Sequence, residues 1–216
     1  MQWQKQWQHN GVSMAIDYEA VVRDASESTE EELITFLLDE LPYLWLDDYL
    51  AMTPRQTAVE RFPHGGFEYI YDDYATLENT GAVPYSQFEE ARLVAAIGRS
   101  EPQQTKRDDF RLRGWVGPTQ VVFGKEWDKG HYIAHSIGGA VDGLEANVFQ
   151  QRRDLNRGWS VEGKMFRTME NYCAAHRGTL CFHRPQYSDG KALPTILEFG
   201  VLLLPERKLW VERFTN

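Results

Sequence analysis

Three apolar runs close the chain and limit what it can fold into. "TLCFHRPQY" (179–187), "TILEFGVLLL" (195–204) and "LWVERF" (209–214) are short and rich in β-branched and aromatic residues. Gly, Pro, Asp and Ser lie between them, so they read as strands. Before them, from about Leu155 to His176, Met165, Met169, Tyr172 and Cys173 share one helical face, and Gly178 follows as a stop signal. Earlier still, "TQVVFG" (119–124) and "GHYIAHSI" (130–137) read as short strands, and a glycine-rich "GGAVDG" loop leads on toward the helix. The order is strand, strand, loop, helix, then more strands. That order, with helices ahead of it, predicts an α+β fold.

The first hundred residues read as mainly helical. "SESTEEELITFLLDELPYLWLDDYLAM" opens with Ser/Thr followed by Glu, an N-cap signal, and continues with apolar residues at helical spacing. Pro42 is expected to break or kink that helix. A second helix is predicted over 86–98. Ser86 and Glu89 fit a capping box there, and Phe88, Ala91, Ala95 and Ile97 mark a buried face. "GFEYIYDDYATL", between the two, is ambiguous between strand and helix. "GRSEPQQTKRDD" (98–109) is polar and rich in turn residues, which puts a boundary there and divides the chain into regions 1–100 and 101–216.

Charge divides at the same place. Residues 1–100 carry 6 Lys/Arg against 18 Asp/Glu, while 101–216 carry 17 against 14, within a total of −9. An acidic chain is a poor partner for phosphate, but a basic-leaning second half weakens that objection. The acidic first half suits a solvated face, a protein partner or a shield for the second. A 42% hydrophobic content argues against wholesale disorder. The chain has no apolar run long enough to span a bilayer, so no membrane partner is expected. The start, "MQWQKQWQHN", is too polar for a secretory signal. The expectation is a cytoplasmic protein, or one exported by a route that reads no N-terminal signal. Cys173 and Cys181 form no C-x-x-C pair and read as two buried thiols.

The chemistry concentrates between residues 128 and 157. "DKGHYIAH" holds His131 and His135, four apart. On a helix that spacing suits zinc, but on a strand the two lie about 13 Å apart, too far to share an ion. A structural zinc site built from both histidines and the two cysteines is therefore disfavoured. "EANVFQQRRDLNRGW" places Asn147, Asn156, Arg152, Arg153 and Arg157 close together. An amide oxygen suits a hard, largely hydrated cation. Guanidinium forks match phosphate oxygens. Metal-assisted phosphodiester hydrolysis needs a base, a cation and a clamp, and residues of these types supply all three. The same residues also read as an exposed helix start with solvated arginines.

"DKGHYIA…GG…NVFQQ…LNRGW", with the later "FHRPQY" (182–187), resembles the DNA/RNA non-specific endonucleases of the His-Me finger, or ββα-metal, group, in particular the branch found as toxin domains. The resemblance covers roughly residues 107–204. It implies a ββα-metal nuclease core in 101–216 behind a mainly helical N-terminal region. It implies His131 as the general base, Asn156 as the protein ligand to one hydrated Mg²⁺ or Mn²⁺, and Glu162 as support for that metal. Asn147 would orient His131, and Arg157 would clamp the phosphate, with Lys129, Arg152 and Arg153 also meeting substrate. Lys129 stands where many relatives have arginine, which keeps the charge and loses the fork. Trp159 follows Gly158 directly, where relatives often have one residue between, and this displaces Glu162 from the family's helix glutamate. Glu170 lies two turns further along.

The implied activity is hydrolysis of DNA, and by extension RNA, with little sequence preference, in a bacterial antagonism toxin. An immunity protein or delivery partner would meet the acidic region. The competing expectation is a catalytically idle nuclease-like domain that binds nucleic acid or protein. Other residues receive plainer readings. His135 reads as a strand neighbour, His176 and His183 as surface residues beside a turn, and Trp159 as core. Arg111 and Arg113 read either as phosphate contacts or as part of an exposed basic strand.

Overall fold

The structure, a computed structural model, describes residues 16–25, 28–103, 124–140 and 145–216. The "TQVVFG" run, save its last residue, and the Arg111 and Arg113 pair lie outside these residues, as does part of the polar boundary segment.

Helix α1 (Tyr18–Asp24) precedes the long helix α2 (Glu30–Met52). The expected cap is present. Thr29 accepts from the Glu32 N–H at 3.3 Å, and Glu32 reaches back to the Thr29 N–H at 2.7 Å. Pro42 does not end α2, which continues ten residues beyond it with the proline ring buried. The apolar stripe Leu33, Ile34, Leu37, Leu41 and Trp45 packs on both sides of the proline and outweighs one lost backbone hydrogen bond.

Strands β1 (Val59–His64) and β2 (Phe67–Asp72) form a hairpin, followed by the short helix α3 (Tyr74–Asn79). The helix expected over 86–98 is instead strand β3 (Arg92–Arg99), and Phe88 is 67% exposed. "LVAAI" is buried on both faces of a sheet, so it shows a continuous apolar run in place of alternation. Val94 and Ala95 both face α2, because the register slips between Ile70 and Tyr71 and leaves a bulge in β3.

After β3 come β4 (Trp127–His131), β5 (Val148–Arg152), the single-turn helix α4 (Arg153–Asn156) and helix α5 (Val161–Ala175). Strands β6 (Leu180–Gln186), β7 (Ile196–Leu203) and β8 (Lys208–Thr215) close the chain, as the three apolar runs predict. Two expectations need correction here. The strand at the histidine box lies earlier than "GHYIAHSI": it ends at His131, and His135 opens a 3₁₀ turn (His135–Ile137). The single helix from Leu155 to His176 is two helices, split where Gly158 takes φ +70°.

The molecule is thus α+β, with one six-stranded antiparallel sheet ordered β1-β2-β3-β6-β7-β8 and a separate antiparallel ribbon, β4-β5. The large sheet takes three strands from each side of residue 100, so the charge boundary runs through one sheet. α2 covers one face of it. The ribbon, α4 and α5 cover the other, through Tyr132, Phe149, Leu155, Phe166 and Met169. Cys173 and Cys181 are free, buried thiols on that second face. No helix among the described residues is long and apolar enough to cross a membrane.

Candidate functional site

The ribbon carries the candidate residues. Its register pairs Trp127 with Arg152, Lys129 with Gln150, Gly130 with Phe149, and His131 with Val148. Side chains alternate along a strand, so Lys129 and His131 share one face with Gln150 and Arg152. Asp128 and Gly130 share the other with Phe149 and the buried Gln151. Gly130 has a physical reason to be glycine, since a Cβ there would come 2.5 Å from the Cβ of Gln151.

Asn147 immediately precedes β5 and is fully buried. Its Oδ1 accepts from the Ile133 N–H at 2.8 Å, and its Nδ2 donates to the carbonyls of Ile133 at 2.9 Å and Ala140 at 3.0 Å. The Tyr132 N–H also donates to the Asn147 carbonyl at 3.0 Å. Asn147 therefore clamps the backbone directly after His131. It acts on the chain that carries the imidazole.

Asp128 is the hub of the site, and no role was expected for it. Its carboxylate accepts from Arg157 Nε at 2.5 Å and Nη2 at 3.0 Å, and from Arg153 Nε at 3.1 Å. Asn156 Nδ2 lies 3.4 Å from the same carboxylate. Burial alone would raise the Asp128 pKa, but the hydrogen bonds from Arg157, Arg153 and Asn156 outweigh it and hold the carboxyl below its ordinary range. The sequence signal was its place at the head of the "DKGH" box, on a strand one step out of phase with the histidine. Because Asn156 turns its nitrogen to a carboxylate, its amide oxygen is directed elsewhere and stays an acceptor.

The helix junction places these groups. α4 ends at Asn156, Gly158 turns the chain, and Ser160 caps α5 by accepting from the Gly163 N–H at 3.0 Å. Gly163 lets the two helices close on each other, since a Cβ there would come 2.9 Å from the Leu155 carbonyl oxygen. Arg167 on α5 bridges the Glu170 carboxylate and the carbonyl of Asn156, and so anchors α4 from behind. Burial raises the Glu170 pKa against the pull of Arg167.

The structure thus brings Arg153, Asn156 and Arg157 together on Asp128. It sets His131 and Lys129 on the other face of the same ribbon. Arg152 and Glu162 form a separate pair at 2.5 Å, in which Arg152 also holds Asp154 at 2.5 Å. Glu162 accepts from the Thr215 N–H at 3.3 Å, so its carboxylate is committed to Arg152 and β8. Trp159 was expected in the core and is 63% exposed, with the Arg157 guanidinium 5.1 Å from its ring. The turn at Gly158 points it outward. His183, expected at the surface, is buried in β6 between Phe166 and Phe199. His176 is exposed, as expected.

The Asn156 amide oxygen is a hard donor of the kind taken by one Mg²⁺ or Mn²⁺ that keeps most of its water, while the Asp128 carboxylate is already held by Arg153, Arg157 and Asn156. Among the described residues, no three His, Cys, Asp or Glu side chains gather as a metal cage. A site with one amide ligand does not call for such a cage. Compared with protein-family models and with curated proteins, the sequence matches none.

Proposed function

We propose that the chain is a metal-dependent endonuclease with little sequence preference, acting on DNA and by extension RNA, built on a ββα-metal core and used as a bacterial antagonism toxin. One observation carries the reading: a two-stranded ribbon ending its first strand in His131 runs directly into a helix whose Asn156 and Arg157 dock on Asp128 of that same strand.

In this reading His131 takes a proton from the attacking water. Asn147 positions that histidine through the backbone of Ile133. Asn156 would hold Mg²⁺ or Mn²⁺ through its amide oxygen, and that ion would offset the charge that builds on the phosphate, while Asp128 keeps Asn156 and Arg157 in place. Arg157 uses Nε and Nη2 on Asp128, which leaves Nη1 for a phosphate oxygen. Lys129 lies on the face of His131 and meets the strand beyond the scissile bond. Arg152 and Arg153 contribute field, because both are ion-paired in place. Glu162 serves the helix junction in this scheme, since its carboxylate is taken. The outer side of α2 exposes Glu32, Asp39, Glu40 and Asp47, an acidic stripe suited to an immunity or delivery partner.

Purified protein, incubated with supercoiled plasmid and Mg²⁺, should nick and linearise it, and EDTA should stop the reaction. His131→Ala and Asn156→Ala should each lose at least about a hundredfold in rate while keeping the parent's circular dichroism. A His131→Ala protein that cuts at the parent rate refutes the base assignment. Alternation sends His131 and Asp128 to opposite ribbon faces, so the decisive geometry is a crystal soaked in Mn²⁺. An ion on Asn156 remote from the imidazole would end the nuclease reading and favour an idle, nucleic-acid- or protein-binding relative.

A further inference from the structure

On the opposite face of the large sheet lies a cavity of about 370 Å³. The end of α2, the start of β3, the end of β6 and the loop after it enclose it. It does not touch the ribbon, and nothing in the proposed nuclease chemistry uses it. Its wall holds three arginines, Arg55, Arg92 and Arg184, beside the exposed apolar surfaces of Met52 and Pro54.

The three arginines are not satisfied alike. Arg184 pairs with Asp48 and with Glu198 at 3.3 Å. Arg55 pairs with Asp72 and Glu89, each at 2.8 Å. Arg92 is only 5% exposed and meets neutral acceptors alone. Its Nε donates to Tyr49 Oη at 2.8 Å, Nη1 to the Asp189 carbonyl at 2.5 Å, and Nη2 to Thr53 Oγ1 at 3.4 Å. The rings of Tyr187 and Tyr49 flank its Cζ at 4.7 and 5.2 Å. Counter-charge reaches Arg92 by relay: Tyr49 Oη donates in turn to Asp72 at 2.6 Å, and Arg55 shares that same carboxylate. A guanidinium carries five N–H donors, and three are used, which leaves one on each terminal nitrogen. Arg55 borders the same space, with its Nε sealed off from it. The Arg55 side chain is 8% exposed, and its buried Nε has no hydrogen-bond partner.

We propose that this cavity binds a small monocarboxylate with an aromatic or branched apolar body. Its carboxylate lies against the two free Arg92 donors and completes a planar fork. The apolar body lies against Met52 and Pro54. The volume falls at the small end of ligand sites. A doubly charged phosphate is the poorer occupant, because Asp48 and Glu89 share the wall and repel added negative charge.

Benzoate is a direct probe of the full chain, with benzamide as its neutral counterpart and inorganic phosphate as the competing anion. Benzoate should raise the melting temperature and give saturable heat in calorimetry, and benzamide should do neither. Arg92→Lys keeps the charge and loses the fork, so benzoate affinity should fall at least about tenfold. Met52 sits half-exposed at the cavity wall, so Met52→Trp should block binding without lowering the melting temperature of the free protein. The proposal is overturned if benzoate gives neither shift nor heat, if phosphate binds as well as benzoate, or if Met52→Trp binds benzoate like the parent.

Discussion

Arg157 grips Asp128 through two nitrogens, at 2.5 and 3.0 Å, and thereby fastens the helix junction to the strand that ends in His131. Arg153 and Asn156 converge on the same carboxylate. Asp128→Asn keeps the shape and removes the charge. It should cost about 1–3 kcal/mol at neutral pH, the lower end being set by the exposure of Arg157. The sign with pH follows from the depressed Asp128 pKa. Its contribution is present above the ordinary carboxylate range, near pH 4, and is lost as pH falls through the folded-state value. Urea titrations of parent and variant should therefore differ at pH 7 and converge in acid. A gap of equal size at both pH values would assign the loss to packing.

Asn147 makes three hydrogen bonds with no access to water. Asn147→Ala leaves an N–H and two carbonyls of the following loop unsatisfied and should cost roughly 2–4 kcal/mol. Asn147→Asp should be worse, because a carboxylate would face two carbonyl oxygens. Chemical denaturation of both variants checks the order. If Asp is tolerated better than Ala, the side chain does not meet these two carbonyls.

Gly130 lies directly under the Gln151 side chain. Gly130→Ala should therefore cost about 1–3 kcal/mol by overpacking. Adding Gln151→Ala should recover only part of the loss, because the Cβ of residue 151 remains in the way. Full recovery in the double variant would locate the clash at the outer end of the glutamine.

The closing strands were legible because each shows β-branched and aromatic residues between turn signals, and the cap at Thr29 was legible because both its partners are local. The strand at 92–99 was not. Burial on both faces erases alternation, and the capping-box match at Ser86 and Glu89 pointed to a helix. Pro42 misled in the same way, since a local penalty lost to a long apolar stripe. Within the site, the residue types around Asn156 were readable from spacing. The role of Asp128 was not, since its partners lie 25 to 29 residues away in sequence and depend on the ribbon register. Trp159 and His183 were misplaced because exposure near a turn depends on which way the turn points. Gly158 sends one ring into solvent, and the pleat of β6 sends the other into the core.

His183 offers the sharpest test of that last placement. It stacks on Phe199 at 4.1 Å and lies 5.5 Å from Phe166, and its Nδ1 has no hydrogen-bond partner. Burial lowers its pKa from 6.5 to about 3. As pH falls below about 6.5 the unfolded chain protonates this ring while the folded chain does not, so stability present above that pH drains away down to about pH 3. Over the whole interval the loss is on the order of 4–5 kcal/mol. Carboxylates add to acid unfolding only from about pH 4.5 downward, so the window above that belongs to histidine. His183→Phe keeps the stacking and removes the titration. Urea midpoints of the parent should decline from about pH 6.5 to about pH 4.5, and those of the variant should stay nearly level. Parallel declines would mean that the His183 ring reaches water, and the register of β6 would then need revision.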